Sequence, residues 1–297
     1  MTTPEFTSNR ENFCYRHPDR QSFVLCQRCM RTICPACQTQ AAVGVICPEC
    51  MKADRKAQSP AQKRAQRRWG GASGTATIAR RGKPVVTYTL LAVTSAIGLL
   101  QLLPGGIGDA ITSRMLFAAA YLYPDLSPYP FEPWRLLTAV FVHGGFIHLA
   151  LNMLALWLLG QGLEPMLGRA RYLALYLISG LGGSVAVAVI DPTAATVGAS
   201  GAIFGMMAAL LIVGRHIGAN VTGILVILGI NFALGFVIGG IAWQAHLGGA
   251  IVGAVIAFIY TRTRRREQRI WQIALLIALT ALLIVIVAVV PPILITS

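Results

Sequence analysis

Between residues 51 and 297 there is not one cysteine; all seven lie within 14–50. Disulfides are therefore excluded from most of the chain, and the crowded segment holds either disulfides or metal ligands. Charge is also scarce. Charged residues make up 12% of the chain, against roughly 25% in ordinary soluble proteins. Acidic residues number only 11, and beyond residue 83 they fall at the ends of apolar runs or in loops. A charged path through the membrane is thus missing, as are inverted repeats, and both absences argue against a transporter. The first 80 residues contain no apolar h-region, so no signal peptide is expected.

What is abundant is apolar. Hydrophobic residues account for 55% of the 297. Seven apolar runs fall at about 85–103, 137–160, 171–190, 198–214, 221–239, 242–260 and 271–294, each near the ~20 residues a spanning helix needs. Gly144-Gly145 offers another start for the second run, leaving 136–142 as a membrane-dipping stretch. Residues 104–136 read as a long first loop rich in Pro, Tyr and Gly, ending in Trp134-Arg135, an aromatic–cation pair suited to a membrane interface.

The net charge of +14 sits in the first 83 residues and in short loops. Such a distribution fits membrane topology better than nucleic-acid binding, and no nucleic-acid partner is expected. Basic residues gather before the first run, after the second (Arg169, Arg171), after the fourth (Arg215) and after the sixth (Arg262, Arg264, Arg265, Arg266, Arg269). The positive-inside rule then puts the N-terminus in the cytoplasm and the C-terminus outside, as seven crossings require. The expected fold class is an all-α polytopic membrane protein preceded by a small cytoplasmic module. Its domains are expected at 1–50 (Cys-rich module), 51–83 (basic flexible linker) and 84–297 (membrane domain).

Within the runs, polar side chains are costly and default to functional candidates. Ser200 lies in Gly198-Ala199-Ser200-Gly201 and His246 in Ala245-His246-Leu247-Gly248-Gly249. A serine and a histidine are the minimum pair for nucleophilic hydrolysis. The topology places both near the outer ends of their helices, and places His148 and Asn152 at the same depth. Spaced i, i+4 on one face, His148 and Asn152 can donate hydrogen bonds to a developing oxyanion. Gly201-x-x-x-Gly205 and Gly249-x-x-x-Gly253 supply small faces for close helix approach. No carboxylate is placed to orient His246. Asp191, in Asp-Pro, reads as a turn, so a Ser–His dyad is expected, with Phe204 able to stack on the imidazole. His143 receives no role, and His216 reads as a solvated helix-end residue.

Residues about 84–290 resemble the rhomboid intramembrane serine proteases. The resemblance is carried by Trp134-Arg135, His143-x4-His148-x3-Asn152, Glu164 with Gly168-Arg169, Gly198-Ala199-Ser200-Gly201 and Ala245-His246-Leu247-Gly248-Gly249. It implies a six-helix core plus one C-terminal transmembrane helix, Ser200 as nucleophile, His246 as base, and His148 and Asn152 as oxyanion residues. Substrates would be transmembrane proteins entering past the fifth helix, making Phe232 and Phe236 gate candidates. Phe204 departs from the Tyr often found there. The expected setting is the lipid bilayer, of the plasma or inner membrane. The competing reading is a catalytically silent rhomboid-like protein that binds transmembrane helices.

In the N-terminal module, Cys14-x2-His17, Cys26-x2-Cys29, Cys34-x2-Cys37 and Cys47-x2-Cys50 offer eight ligands, enough for two tetrahedral zinc sites. An odd cysteine count and a reducing cytoplasm disfavour disulfides. Sequential and interleaved pairings both remain open from spacing. The layout resembles B-box-type zinc fingers, which implies a cross-braced arrangement: Cys14, His17, Cys34 and Cys37 at one ion, Cys26, Cys29, Cys47 and Cys50 at the other. Structural zinc is the only cofactor expected, and the module is expected to bind a cytoplasmic partner, regulate the membrane domain or cap the N-terminus.

Overall fold

The structure is a computed structural model that describes residues 10–40, 44–57, 83–216, 221–237 and 242–296. The chain divides into two compact units, Met1–Arg68 and Trp69–Ser297.

The first unit is built from two small antiparallel hairpins and a helix. β1 (Phe13–Cys14) pairs with β2 (His17–Gln21), β3 (Thr39–Gln40) pairs with β4 (Val45–Ile46), and α1 spans Pro48–Ala57. Its buried centre consists of Cys14, Cys26, Cys34, Cys37 and Cys47 around Ile33. A single aliphatic side chain is far less apolar surface than a domain needs to fold unaided. The sulfurs themselves are the core. The helix α1 runs past residue 50 into the segment expected as linker; most of the remainder of that linker lies outside the described residues.

The second unit is helical. Its apolar helices are α2 (Val85–Leu100), α5 (Phe146–Leu167), α6 (Arg169–Ile190), α7 (Ser200–His216), α8 (Thr222–Val237), α9 (Trp243–Arg262) and α10 (Arg269–Thr296). Four of them, α5, α6, α9 and α10, are long and apolar enough to cross a membrane; α2, α7 and α8 are shorter. At 1.5 Å per residue, the 17 residues of α7 reach about 25 Å, short of the ~30 Å hydrocarbon layer. One end of α7 must therefore lie below a membrane face.

The second apolar run divides where Gly144-Gly145 interrupts it. Gly145, at φ 138°, caps the N-terminus of α5. Residues 135–141 form separate short turns, α4 (Arg135–Thr138) and a 3-10 turn at Ala139–Phe141. The first loop is more structured than its composition suggests. It holds α3 (Ile107–Met115), started by Gly106 at φ 82°, and β5 (Phe117–Ala118). β5 pairs with β6 (Ala195–Thr196), on the approach to α7.

The packing centre is the trio α6, α7 and α9, where glycines let backbones touch. A Cβ on Gly249 would stand 1.9 Å from the Gly201 carbonyl oxygen, and one on Gly253 would stand 2.2 Å from that of Gly205. A Cβ on Gly182 of α6 would meet Val252 of α9 at 2.5 Å. In lipid there is little hydrophobic drive between helices, so such close van der Waals contact holds the bundle together. At the other end of α5, the buried Glu164 carboxylate accepts hydrogen bonds from the Val86 N–H (3.0 Å), the Thr87 N–H (2.7 Å) and the Thr87 hydroxyl (2.7 Å). The two N–H groups are among the first-turn donors of α2, which lack partners within their own helix.

Candidate active site and metal centres

The chain enters α7 through a constrained turn. Gly198, at φ 117°, takes a conformation that L side chains rarely adopt, and its N–H donates to the Ala139 carbonyl at 2.9 Å. The next N–H, of Ala199, donates to His143 Nε2 at 3.4 Å. His143 is itself fixed from behind, since its N–H donates to Gln101 Oε1 (2.9 Å) and its carbonyl accepts from Gln101 Nε2 (3.2 Å). Sequence reasoning left His143 without a role, and the structure finds it buttressing the turn that delivers Ser200 to the first position of α7. Only the spacing His143-x4-His148 hinted that the two rings belong together; they meet edge to face with centroids 5.1 Å apart.

His148 lies over the same turn. A Cβ on Gly198 would stand 2.9 Å from His148 Nε2, so only glycine leaves room for the ring. The Gly144 N–H donates to His148 Nδ1 at 3.3 Å. With Nδ1 an acceptor, the neutral ring carries its proton on Nε2, which makes the atom against the Ser200 turn a hydrogen-bond donor. Asn152 is buried one turn further along α5. Its amide donates to the His148 carbonyl at 2.9 Å, which uses one of its two hydrogens.

His246 is buried in the second turn of α9. The Phe204 ring, one turn after Ser200, stacks on its imidazole with centroids 4.0 Å apart and planes 10° from parallel. This is the contact that Phe204 was expected to make. Among the described residues His246 Nδ1 has no hydrogen-bond partner, and no carboxylate orients the ring. The α8 backbone borders this nitrogen: a Cβ on Gly235 would lie 3.7 Å from it. Phe232 is half-buried on the same helix, while the side chain of Phe236 lies outside the described residues.

Other sequence candidates fall away from this cluster. Asp191 accepts from the Thr193 hydroxyl at 2.7 Å, as a turn residue does, and His216 ends α7 exposed. Trp134 is exposed, but Arg135 is not the interface cation expected. Its guanidinium is buried, paired with Glu132, donating to the carbonyls of Ser113 (2.6 Å) and Leu116 (3.0 Å), and lying 3.7 Å over the Tyr121 ring. The first loop offers enough acceptors to satisfy an arginine without headgroups.

The N-terminal unit gathers its eight ligands into two interleaved groups, Cys14/His17/Cys34/Cys37 and Cys26/Cys29/Cys47/Cys50, each with ligand atoms within 4.8 Å of one another. A tetrahedral ion with bonds of about 2.0–2.3 Å holds neighbouring N and S ligands roughly 3.5–3.8 Å apart. His17 Nδ1 lies 3.3 Å from Cys34 Sγ, 3.3 Å from Cys37 Sγ and 3.8 Å from Cys14 Sγ. Cys29 Sγ and Cys47 Sγ are 3.7 Å apart. Both groups can hold a metal ion. Burial pushes the Cys14 thiol up, but hydrogen bonds from the Cys34 and Arg16 backbone, aided by His17, bring it down to about 6. Cys26 reaches about 6 in the same way, through the backbone of Cys29 and Arg28. Each group thus contains one thiol inclined to ionise, the form that binds metal.

Comparison with known proteins fits the helical unit. The Rhomboid domain family model matches residues 130–263. YdcA of Bacillus subtilis (strain 168), named provisionally as a rhomboid protease, is 32% identical over 190 residues, covering 62% of this chain and 92% of YdcA. The chain belongs to the rhomboid family. It is also 37% identical over 214 residues to rhomboid protease GluP of B. subtilis (strain 168), covering 69% of this chain and 41% of GluP. RHOMBOID-like protein 5 of Arabidopsis thaliana is 39% identical over 138 residues, 43% of this chain and 44% of that protein. The rhomboid chain thus spans less than half the length of these last two relatives. The matched stretch holds Ser200, His246, His148 and Asn152, and the protein is an integral membrane protein. The metal groups lie outside the stretch matched by the family model.

Proposed function

We propose that this rhomboid is an intramembrane serine endopeptidase that hydrolyses peptide bonds in or near transmembrane helices of other membrane proteins. The observation that carries the reading is the Phe204–His246 stack. It joins the serine-bearing end of α7 to the imidazole of α9, over helices whose backbones touch at Gly201 and Gly249. Ser200 Oγ attacks the scissile carbonyl carbon while His246 takes its proton. The proton then passes to the leaving amine, and water repeats the cycle on the acyl-enzyme. His148, with Nε2 as donor, and the free amide hydrogen of Asn152 receive the negative charge on the substrate oxygen. Removal of one such donor typically costs about 3–4 kcal/mol in the transition state. The stacked ring stands in for an orienting carboxylate, so the catalytic unit is a dyad.

A transmembrane helix hides its carbonyls in its own hydrogen bonds. Substrates therefore have to unwind locally, which favours small or helix-breaking residues near the outer end. The basic loops support a cytoplasmic N-terminus and an outside C-terminus, in a plasma or inner membrane. On this reading the chain is partitioned into a zinc module (1–50), a linker (51–83) and a protease domain of seven crossings (84–297). Each ligand group of the module takes one structural Zn2+, and its surface meets a cytoplasmic partner.

The test uses detergent-solubilised or reconstituted full chain. Parent protein should be labelled by a serine-reactive fluorophosphonate and should cut a model transmembrane substrate. Ser200→Ala should lose both activities, and His246→Ala should lose cleavage, with expression unchanged. Undiminished cutting by either variant refutes the assignment. A folded parent that binds transmembrane helices but neither labels nor cuts would establish the silent reading instead.

A further inference from the structure

The C-terminal helix α10 contains a defect that another element repairs. Pro291 and Pro292 lie inside it. In an α-helix the carbonyl of residue i accepts the N–H of residue i+4, and proline has no N–H to give. The carbonyl of Val287 is thereby left without its helical donor, in a residue that is buried. A buried carbonyl within the apolar layer must find another donor. It finds the hydroxyl of Tyr123, which donates to Val287 O from the first loop, 164 residues away. Tyr123 is buried as well, and burial pushes its phenol up to about 12, so it remains a donor at all physiological pH.

Tyr123 is not isolated from the site. It follows the 3-10 turn Ala119–Leu122, which continues directly from β5. β5 pairs with β6 in the register Phe117↔Thr196 and Ala118↔Ala195. Thr196 precedes Ser200 by four residues, across the turn in which Gly198 is held to Ala139. A continuous path of short, hydrogen-bonded backbone therefore runs from α10, through Tyr123 and the β5–β6 ladder, to the Ser200 turn.

We propose that Tyr123 is a positioning residue: by latching the first loop to the carbonyl that Pro291 leaves open in α10, it fixes the β5–β6 ladder and, through it, the turn that presents Ser200. The inference rests on the protease reading for its catalytic consequence, but not for the mechanical coupling.

Two readouts separate these. Hydrogen exchange of the amides in 195–199 is measured in the Ser200→Ala background, where no turnover is needed. Tyr123→Phe should raise exchange there at least threefold. In the active chain, Tyr123→Phe should lower kcat for a transmembrane substrate by about three- to tenfold with KM within twofold. The decisive variant is Tyr123→Phe/Pro291→Ala, which gives Val287 back its helical donor. It should recover the parent's thermal midpoint yet leave both exchange and kcat at the Tyr123→Phe level. If Pro291→Ala restores kcat and exchange, Tyr123 only satisfies a carbonyl and the proposal is overturned. Unchanged exchange in Tyr123→Phe overturns it too, whatever the activity. A parent that never cuts, with exchange that still responds, sinks the protease reading and leaves the coupling standing.

Discussion

At the scale of single residues, the candidate site depends on shape as much as on its polar groups. Phe204 lies flat on His246 and offers no hydrogen bond, so it constrains the plane of the imidazole rather than its protonation. Phe204→Leu keeps an apolar side chain but loses the plane. It should lower kcat by about tenfold, while Phe204→Tyr, which keeps the ring, should stay within about threefold of the parent. Steady-state cleavage kinetics distinguish the two. Gly249 is a harder constraint. Its missing Cβ is what lets it approach the Gly201 carbonyl, and backbone cannot retreat as a flexible side chain can. Gly249→Val should destabilise the chain by several kcal/mol, on the order of a severe overpacking mutation or more, with a lowered thermal midpoint as the readout. Ser200 and His246 stood out in the sequence as candidates because membrane helices rarely keep polar groups, and the Phe204–His246 contact was legible because i, i+4 spacing from Ser200 is simple to read. The buttress made by His143 was not legible. Its partner Ala199 is 56 residues away and contributes only a backbone N–H, which every residue type but proline carries.

At the scale of elements, helix ends carry the constraints. Glu164 gathers three donors from α2 at a buried position. Its removal leaves those groups without an acceptor in an apolar setting. Glu164→Ala should cost about 2–4 kcal/mol, visible as a lowered midpoint in detergent, with little change in the KM of whatever protein still folds. The seven apolar helices were readable from hydropathy, though their ends were not. α5 starts at Phe146, at the alternative start that Gly144-Gly145 offered in the sequence, rather than near 137, where hydropathy alone puts it. α3 and β5 lie in a loop that composition marked as irregular. Their order comes from Gly106 at the head of α3 and from pairing with β6, a partner distant in sequence.

At the scale of the whole molecule, two units use different means to hold themselves together. The helical unit relies on close-packed backbones, whereas the N-terminal unit relies on its ligands. Full-length protein should therefore carry two zinc ions per chain by elemental analysis. A strong chelator should unfold the N-terminal unit while leaving the helices intact by circular dichroism. The thiols of each ligand group respond to pH in opposite directions. Cys14 and Cys26 have folded values of about 6, below the ordinary thiol value of 9.0. Their ionised forms favour the folded unit above the ordinary value, a contribution that fades as pH falls through about 6, whereas burial and the neighbouring thiols push Cys37 up to about 11 and Cys50 up to about 12, so that these two favour it in their protonated forms. Protons also compete with metal for the same sulfurs. Zinc should thus be retained at neutral pH and released on acidification, followed with a metallochromic dye.

The sequence by itself determined which segments prefer lipid, which residues are too costly to keep there without a use, and how many metal ligands stand ready at two-residue gaps. Those properties are local: hydropathy, helical periodicity and ligand spacing act over a few turns of chain. Only the tertiary structure decided which cysteines gather into one ligand group, that His143 supports the Ser200 turn, that Arg135 is buried, and that Tyr123 supplies the donor that Pro291 denies the Val287 carbonyl. Each of these is a contact between segments far apart in the chain. Each is made with generic backbone groups or common side chains, and composition does not mark which distant carbonyl or N–H will be left in need of a partner.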